Sequence, residues 1–135
     1  MKHCFLIVFL LIIQLHVFSQ KKYPVIREAD LKGKALKEWH RIDTTWTKHI
    51  FPGCLLENNL KLNCADCDHI YLEVRLTIDS HGRLISHEKT GGTMCEKEIS
   101  DNVVKCFLDF FYFLEFPRKL RNHNFEVKIG TSLKC

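Results

Sequence analysis

The chain has 135 residues, 46% of them hydrophobic, with 20 Lys and Arg against 16 Asp and Glu and a formal charge of +4. That length supports one domain with a real core and falls short of two. The charges are scattered instead of gathered into runs, and no repeat or low-complexity segment occurs, so composition points to neither nucleic acid nor a charged membrane surface as a partner.

The first residues follow the three-part pattern of a secretory signal. Lys2 supplies the positive start, Phe5 to Ile13 contains no polar side chain, and Val17 and Ser19 are slender enough to precede a cut that leaves Gln20 first. Residues 1–19 are therefore read as a cleavable export signal, which places the remainder in the periplasm or outside the cell, with no stable membrane insertion. The rival is an uncleaved anchor, which needs about 20 predominantly apolar residues, and Gln14 and His16 interrupt the run too early.

Residues 20–50 read as a lead-in with a helix inside it. Gln20 to Arg27 is polar and extended around Pro24, after which Leu31, Ala35, Leu36, Trp39 and Ile42 recur at helical steps behind Asp30 as a cap. Thr44, Thr45 and Thr47 end that helix, Phe51-Pro52-Gly53 forms a turn, and a short helix follows from about Leu55 to Leu60. From Ile70 the period changes to two: Ile70, Leu72, Val74, Leu76 and Ile78 alternate with Tyr71, Glu73, Arg75 and Thr77, the pattern of a half-buried strand. Asp79-Ser80-His81-Gly82 turns it, and Arg83 to His87 starts the return strand of a β-hairpin.

Thr90-Gly91-Gly92-Thr93 breaks the return strand. Glu96, Glu98 and Asp101 then place negative charge in the opening turns of a helix, where the dipole favours it. Ile99, Val103, Cys106 or Phe107, Phe110 and Leu114 make its core face. Phe111, Tyr112 and Phe113 widen that face enough for it to serve as a contact with another chain, including a second copy of this one. Phe116-Pro117 ends the helix, Arg118 to Asn124 is a polar loop, and Phe125, Val127 and Ile129 alternate with Glu126 and Lys128 in a last strand.

Of seven cysteines, Cys4 falls in the signal, leaving Cys54, Cys64, Cys67, Cys95, Cys106 and Cys135. An even number in an exported domain indicates disulfides, with 15 possible pairings. The alternative is a metal or thiol site on the C-x-x-C pair Cys64 and Cys67 with His69, joined by His81, His87 or Asp79. A redox dithiol should open a helix, where its pKa falls, whereas this pair precedes a strand. A zinc site needs four ligands, usually as a second pair. No nucleophile, base and orienting group can be assembled from the spacing, so no catalytic residue and no cofactor is assigned.

In this order, Ile78-Asp79-Ser80-His81-Gly82 at a hairpin turn, Thr90-Gly91-Gly92 before an acidic helix start, and Phe116-Pro117-Arg118 leading to a last strand resemble the C-terminal domain of the TonB and TolA energy-transducing proteins. Upstream, Phe51-Pro52-Gly53 and Leu56 to Leu60 are similar to that family's entry motif and first short helix. The resemblance covers about residues 51–129 and implies an α+β domain over residues 51–135, with one main helix packed on a three-stranded antiparallel sheet. It implies that Cys64 or Cys67 approaches Cys95, with Cys135 nearby. Cys95 and Cys106, read as lying on one helix, would be roughly 16 Å apart and unable to pair.

The resemblance further implies a non-catalytic binding module without the anchor and proline-rich spacer of an energy transducer. Its partner would be a protein or extended peptide, such as a segment of an outer-membrane receptor, taken up by strand addition. The expected site is the edge of the last strand, Phe125, Val127 and Ile129, with Arg118, Lys119 and Arg121 as a rim for acidic peptide.

Overall fold

The computed structural model describes residues 23–135; the export signal expected over residues 1–19 lies outside the described residues. A five-stranded sheet carries helices on one face, confirming the α+β class. Its strands are β1 (Val25–Arg27), β2 (His69–Ile78), β3 (Leu84–Met94), β4 (Lys97–Glu98) and β5 (His123–Ser132) in the order β1-β5-β2-β3-β4. The expected hairpin and last strand form its centre, with β2 antiparallel to both β3 and β5. The sheet exceeds the expected three strands because each edge gains a short one. β1 joins β5 in parallel, and β4 folds back on β3.

The alternation in β2 is realised fully: Ile70, Leu72, Val74, Leu76 and Ile78 are buried, as are Phe125, Val127 and Ile129 beside them. The opposite face closes itself with charge. Glu88, Arg75, Glu126 and Arg27 form a chain of ion pairs across β3, β2, β5 and β1, with links of 2.9, 2.8 and 3.2 Å. Hydrogen bonds, first from Arg75 and then from Arg27, hold the Glu126 carboxyl below its ordinary pKa. The crossing of β5 over β2 is tight at Gly130, whose φ is 132°. A Cβ there would meet the Ile70 carbonyl oxygen at 2.0 Å. Gly130→Ala is expected to cost about 1–3 kcal/mol or more, read as a lowered urea midpoint at unchanged slope.

The described residues before Phe51 pack into the same core as the sheet. Helix α1 (Gly33–Thr45) runs through a π-helical turn (Trp46–Ile50) into α2 (Phe51–Glu57). The threonines do not stop it, because Thr45 Oγ1 turns back to donate to the Arg41 carbonyl at 2.9 Å, a bond that a helix accommodates. Phe51-Pro52-Gly53 opens α2 instead of forming a turn, since proline is tolerated where a helix N–H has no partner to lose. Trp39, Ile42, Trp46 and Phe51 thereby enter the same core as the sheet.

The last helix, α3 (Asp101–Asp109), starts later than the acidic residues suggest. Cys95 and Glu96 both have positive φ, 52° and 61°. They form the two-residue loop that pairs Met94 with Lys97, the backbone signature of a tight hairpin turn. Cys95 is thus off the helix, and only Asp101 lies in its first turn. Val103, Val104, Phe107 and Leu108 face the core, and a 3-10 turn over Phe110–Phe113 buries Phe111.

Three disulfides close the structure. Cys67 joins Cys95 and Cys64 joins Cys135 at the sheet end where β2 begins and β3 and β5 finish, with Cα separations of 4.2 and 5.6 Å. Cys54 joins Cys106, tying α2 to α3 at 5.7 Å.

Candidate functional site

β4 pairs only with Thr93 and Met94. From Ile85 to Thr90, β3 therefore has β2 on one side and no strand on the other among the described residues. The strand is polar there because it is an edge: after Leu84, no β3 side chain is fully buried. Beside it stand apolar groups without cover. Ile85 is 51% exposed, and Phe113, at the end of the 3-10 turn after α3, is 89% exposed. Tyr112 is held against the strand, its hydroxyl 2.7 Å from His87 Nδ1 and the two rings edge to face. Burial first, and the nearby Asp109 charge second, raise the Tyr112 pKa. It therefore remains a neutral phenol that donates to His87 when that ring carries its proton on Nε2.

The two ends of this edge differ in charge. At the β4 end, Lys89 Nζ binds Glu98 Oε1 at 2.9 Å, and Glu96 and Asp101 stand close by in sequence. The hydrogen bond from Lys89 lowers the Glu98 pKa. At the other end, Asp79 Oδ1 accepts the N–H groups of His81 and Arg83 at 2.8 and 2.9 Å. Those bonds, Arg83 first, hold the Asp79 carboxyl low and fix the hairpin turn. The turn is docked on the segment before β5: Phe116 N–H donates to the Gly82 carbonyl at 2.7 Å, and Asn122 N–H to that of Asp79 at 3.2 Å. Gly82 is required here, with φ 82° and the Phe116 oxygen 2.9 Å from where a Cβ would stand.

This docking creates two adjoining cavities. One, of about 480 Å³, is lined by His81, Arg83, Phe113, Leu114, Glu115 and Arg121. The other, of about 540 Å³, lies between α1 and the 116–121 segment, and its lining includes Arg41, Arg118, Lys119 and again Arg121. Arg121 pairs with Glu115, forming a partition common to both.

The six residues expected at a peptide site do not form one surface. Phe125, Val127 and Ile129 point into the core. Arg118, Lys119 and Arg121 face α1 across a cavity instead of rimming β5. β5 itself is interior over Asn124–Glu126, where β1 pairs with it, and a cavity of about 770 Å³ opens where β1 leaves it, beside Val127 and Lys128. The β3 edge was missed, although the run Ser86-His87-Glu88-Lys89 signals that this strand lacks an apolar face.

Cys64 and Cys67 bond to Cys135 and Cys95 and not to each other. His69 Nδ1 lies 2.5 Å from Asp68 Oδ1. His81, His87 and Asp79 are engaged at the turn and edge just described. Among the described residues, no three His, Cys, Asp or Glu side chains converge as metal ligands, and no helix is long and apolar enough to cross a membrane.

Fold and edge together define a disulfide-stapled, two-layer α+β domain in which β3 presents one edge that is unpaired among the described residues and flanked by exposed rings. No family model, curated protein or solved structure matches the chain.

Proposed function

We propose that the chain is an exported, non-catalytic binding module that takes up an extended peptide by strand addition at β3. The observation that carries this reading is the unpaired edge from Ile85 to Thr90 with Tyr112 and Phe113 exposed beside it. Main-chain hydrogen bonds supply affinity in such a mode, and alternate side chains of the added strand meet the neighbouring surface. Here those side chains would rest on Ile85 and Phe113. The resemblance to the TonB C-terminal domain supports the same mode, transferred from the last strand to the hairpin edge because β1 already covers the start of β5. The disulfides suit an oxidising compartment, and the leader pattern suits delivery to it.

Titrating the oxidised, isotopically labelled protein with a β-prone peptide from an outer-membrane receptor is expected to shift the amides of Ile85 to Thr90 and of Tyr112 and Phe113. Phe113→Ala should weaken that binding about tenfold, the scale of an aromatic contact at an interface. Shifts confined to Val127–Ser132 would move the site to the free part of β5. An unchanged spectrum at both edges would overturn strand addition.

A further inference from the structure

We propose that the peptide taken up at β3 runs antiparallel to it and carries acidic residues at its C-terminal end, seated on Arg83 and the basic cavities that meet at Arg121. The inference rests on strand addition at β3 and adds direction and chemistry to it.

Geometry and charge agree on that direction. β3 runs from Leu84 toward Met94, so an antiparallel neighbour finishes beside Leu84. Six residues of added strand reach about 20 Å, which spans Ile85 to Thr90 and delivers the following residues to the cavity lined by His81, Arg83 and Phe113. Beyond Arg121 the second cavity continues with Arg41, Arg118 and Lys119. Among the described residues these three make no ion pair, whereas Glu115 is committed to Arg121 and Glu38 lies 3.8 Å from Lys34. Carboxylates arriving there meet guanidinium groups able to bind them through two parallel hydrogen bonds. At the opposite end Glu98 is committed to Lys89, and Glu96 and Asp101, which make no ion pair among the described residues, would repel the same carboxylates and favour a peptide N-terminus or basic side chain. A parallel strand would place both ends against like charge. Opposite charges at the two ends of one edge thus select orientation as well as partner, as electrostatic complementarity does at interfaces generally.

The test uses three fluorescent peptides with one shared β-prone core of six residues: one with two aspartates and a free carboxylate at its C-terminus, one with the aspartates at its N-terminus and an amidated C-terminus, and one neutral. Anisotropy titrations on the oxidised protein are expected to rank the C-terminal acid at least tenfold tighter than the N-terminal acid. The preference should shrink at high salt and disappear in Arg118→Glu/Lys119→Glu, two exposed positions whose exchange leaves the amide spectrum of the sheet in place. A spin label on the peptide C-terminus should broaden Arg83 and Phe113 and spare Met94. Equal binding of the two acidic peptides, with shifts on β3, would overturn the orientation while leaving strand addition standing. Absence of β3 shifts with all three would overturn strand addition itself. If Arg118→Gln/Lys119→Gln retained the full preference, the basic cavities would not be its source.

Discussion

Trp46→Ala is expected to remove about 3–5 kcal/mol of folding stability, the cost of truncating a large aromatic side chain in a close-packed core. Trp46 is 0% exposed. Its ring packs edge to face on Phe107 at 5.0 Å and lies 5.4 and 6.4 Å from Phe51 and Phe111. Three other segments meet on this one side chain, α2, α3 and the 3-10 turn after it, so no single neighbour can move in to fill the void. The indole also donates to the Phe107 carbonyl at 3.0 Å, and the last turns of α3 depend on where that carbonyl points. Urea unfolding followed by far-ultraviolet circular dichroism measures the loss. A change below about 1 kcal/mol, the scale of a surface substitution, would mean that the three segments are held elsewhere. Trp46→Phe separates ring from hydrogen bond and leaves the Phe107 oxygen without its partner, a cost of about 1–3 kcal/mol. Trp39→Phe should cost less for the same change in size, because Trp39 Nε1 is buried with no partner to lose among the described residues.

Trp46 also shows where the sequence was readable. Ile70 to Ile78 alternate without interruption, and Asp79 to Gly82 carry their own turn chemistry, so the hairpin could be placed from local residues alone. The helix through Trp39 was legible for the same reason. Its continuation was not, because threonines and a proline at 44–52 are poor helix signals, and what overrides them is the burial of Trp46 and Phe51 against Phe107, 61 residues beyond Trp46. β1 was illegible for a related reason. Val25 to Arg27 carries no periodicity worth the name, and its pairing depends on β5, about a hundred residues later. The late start of α3 has a different cause: acidic residues before a helix look alike whether they cap it or form a hairpin loop, and the cross-link from Cys67 places Cys95 in the loop.

The expected binding residues failed to come together because a strand's place in the sheet is a property of the whole topology. β1 covers Phe125, while Val127 and Ile129 beyond it lie on backbone that β1 does not pair but turn their side chains into the core. The same topology leaves β3 open, and its exposed side chains fit that position: a strand with Ser86, His87, Glu88 and Lys89 in succession has little apolar surface to bury, and lysine and charge on an edge discourage indiscriminate pairing. If peptide is taken up there as proposed, selectivity would come from what lies beside the edge, Tyr112, Phe113 and the basic end at Arg83.

Complete reduction of the disulfides is expected to abolish cooperative unfolding at 37 °C. The bonds close loops with sequence separations of 71, 52 and 28 residues, and the chain-entropy relation assigns each about 4 kcal/mol. Because the loops overlap, the three contribute less than their sum, yet even two such contributions rival the 5–15 kcal/mol that a domain of this size normally has. Loop length barely ranks them, so position must. Cys64–Cys135 fastens the chain end beyond β5, and its removal should leave the core cooperative. Cys54 is buried, and its bond to Cys106 holds α2 against α3 beside the Trp46 cluster. Cys54→Ser/Cys106→Ser should therefore lower the melting temperature more than Cys64→Ser/Cys135→Ser, despite closing the shorter loop. Thermal melts of both double variants and of the fully reduced chain, with thiols counted under denaturant, decide the matter. A cooperative transition in the fully reduced chain would show that the apolar core suffices alone. Its loss would make oxidation a condition of folding, and the β3 edge would then form only in a compartment that permits disulfides.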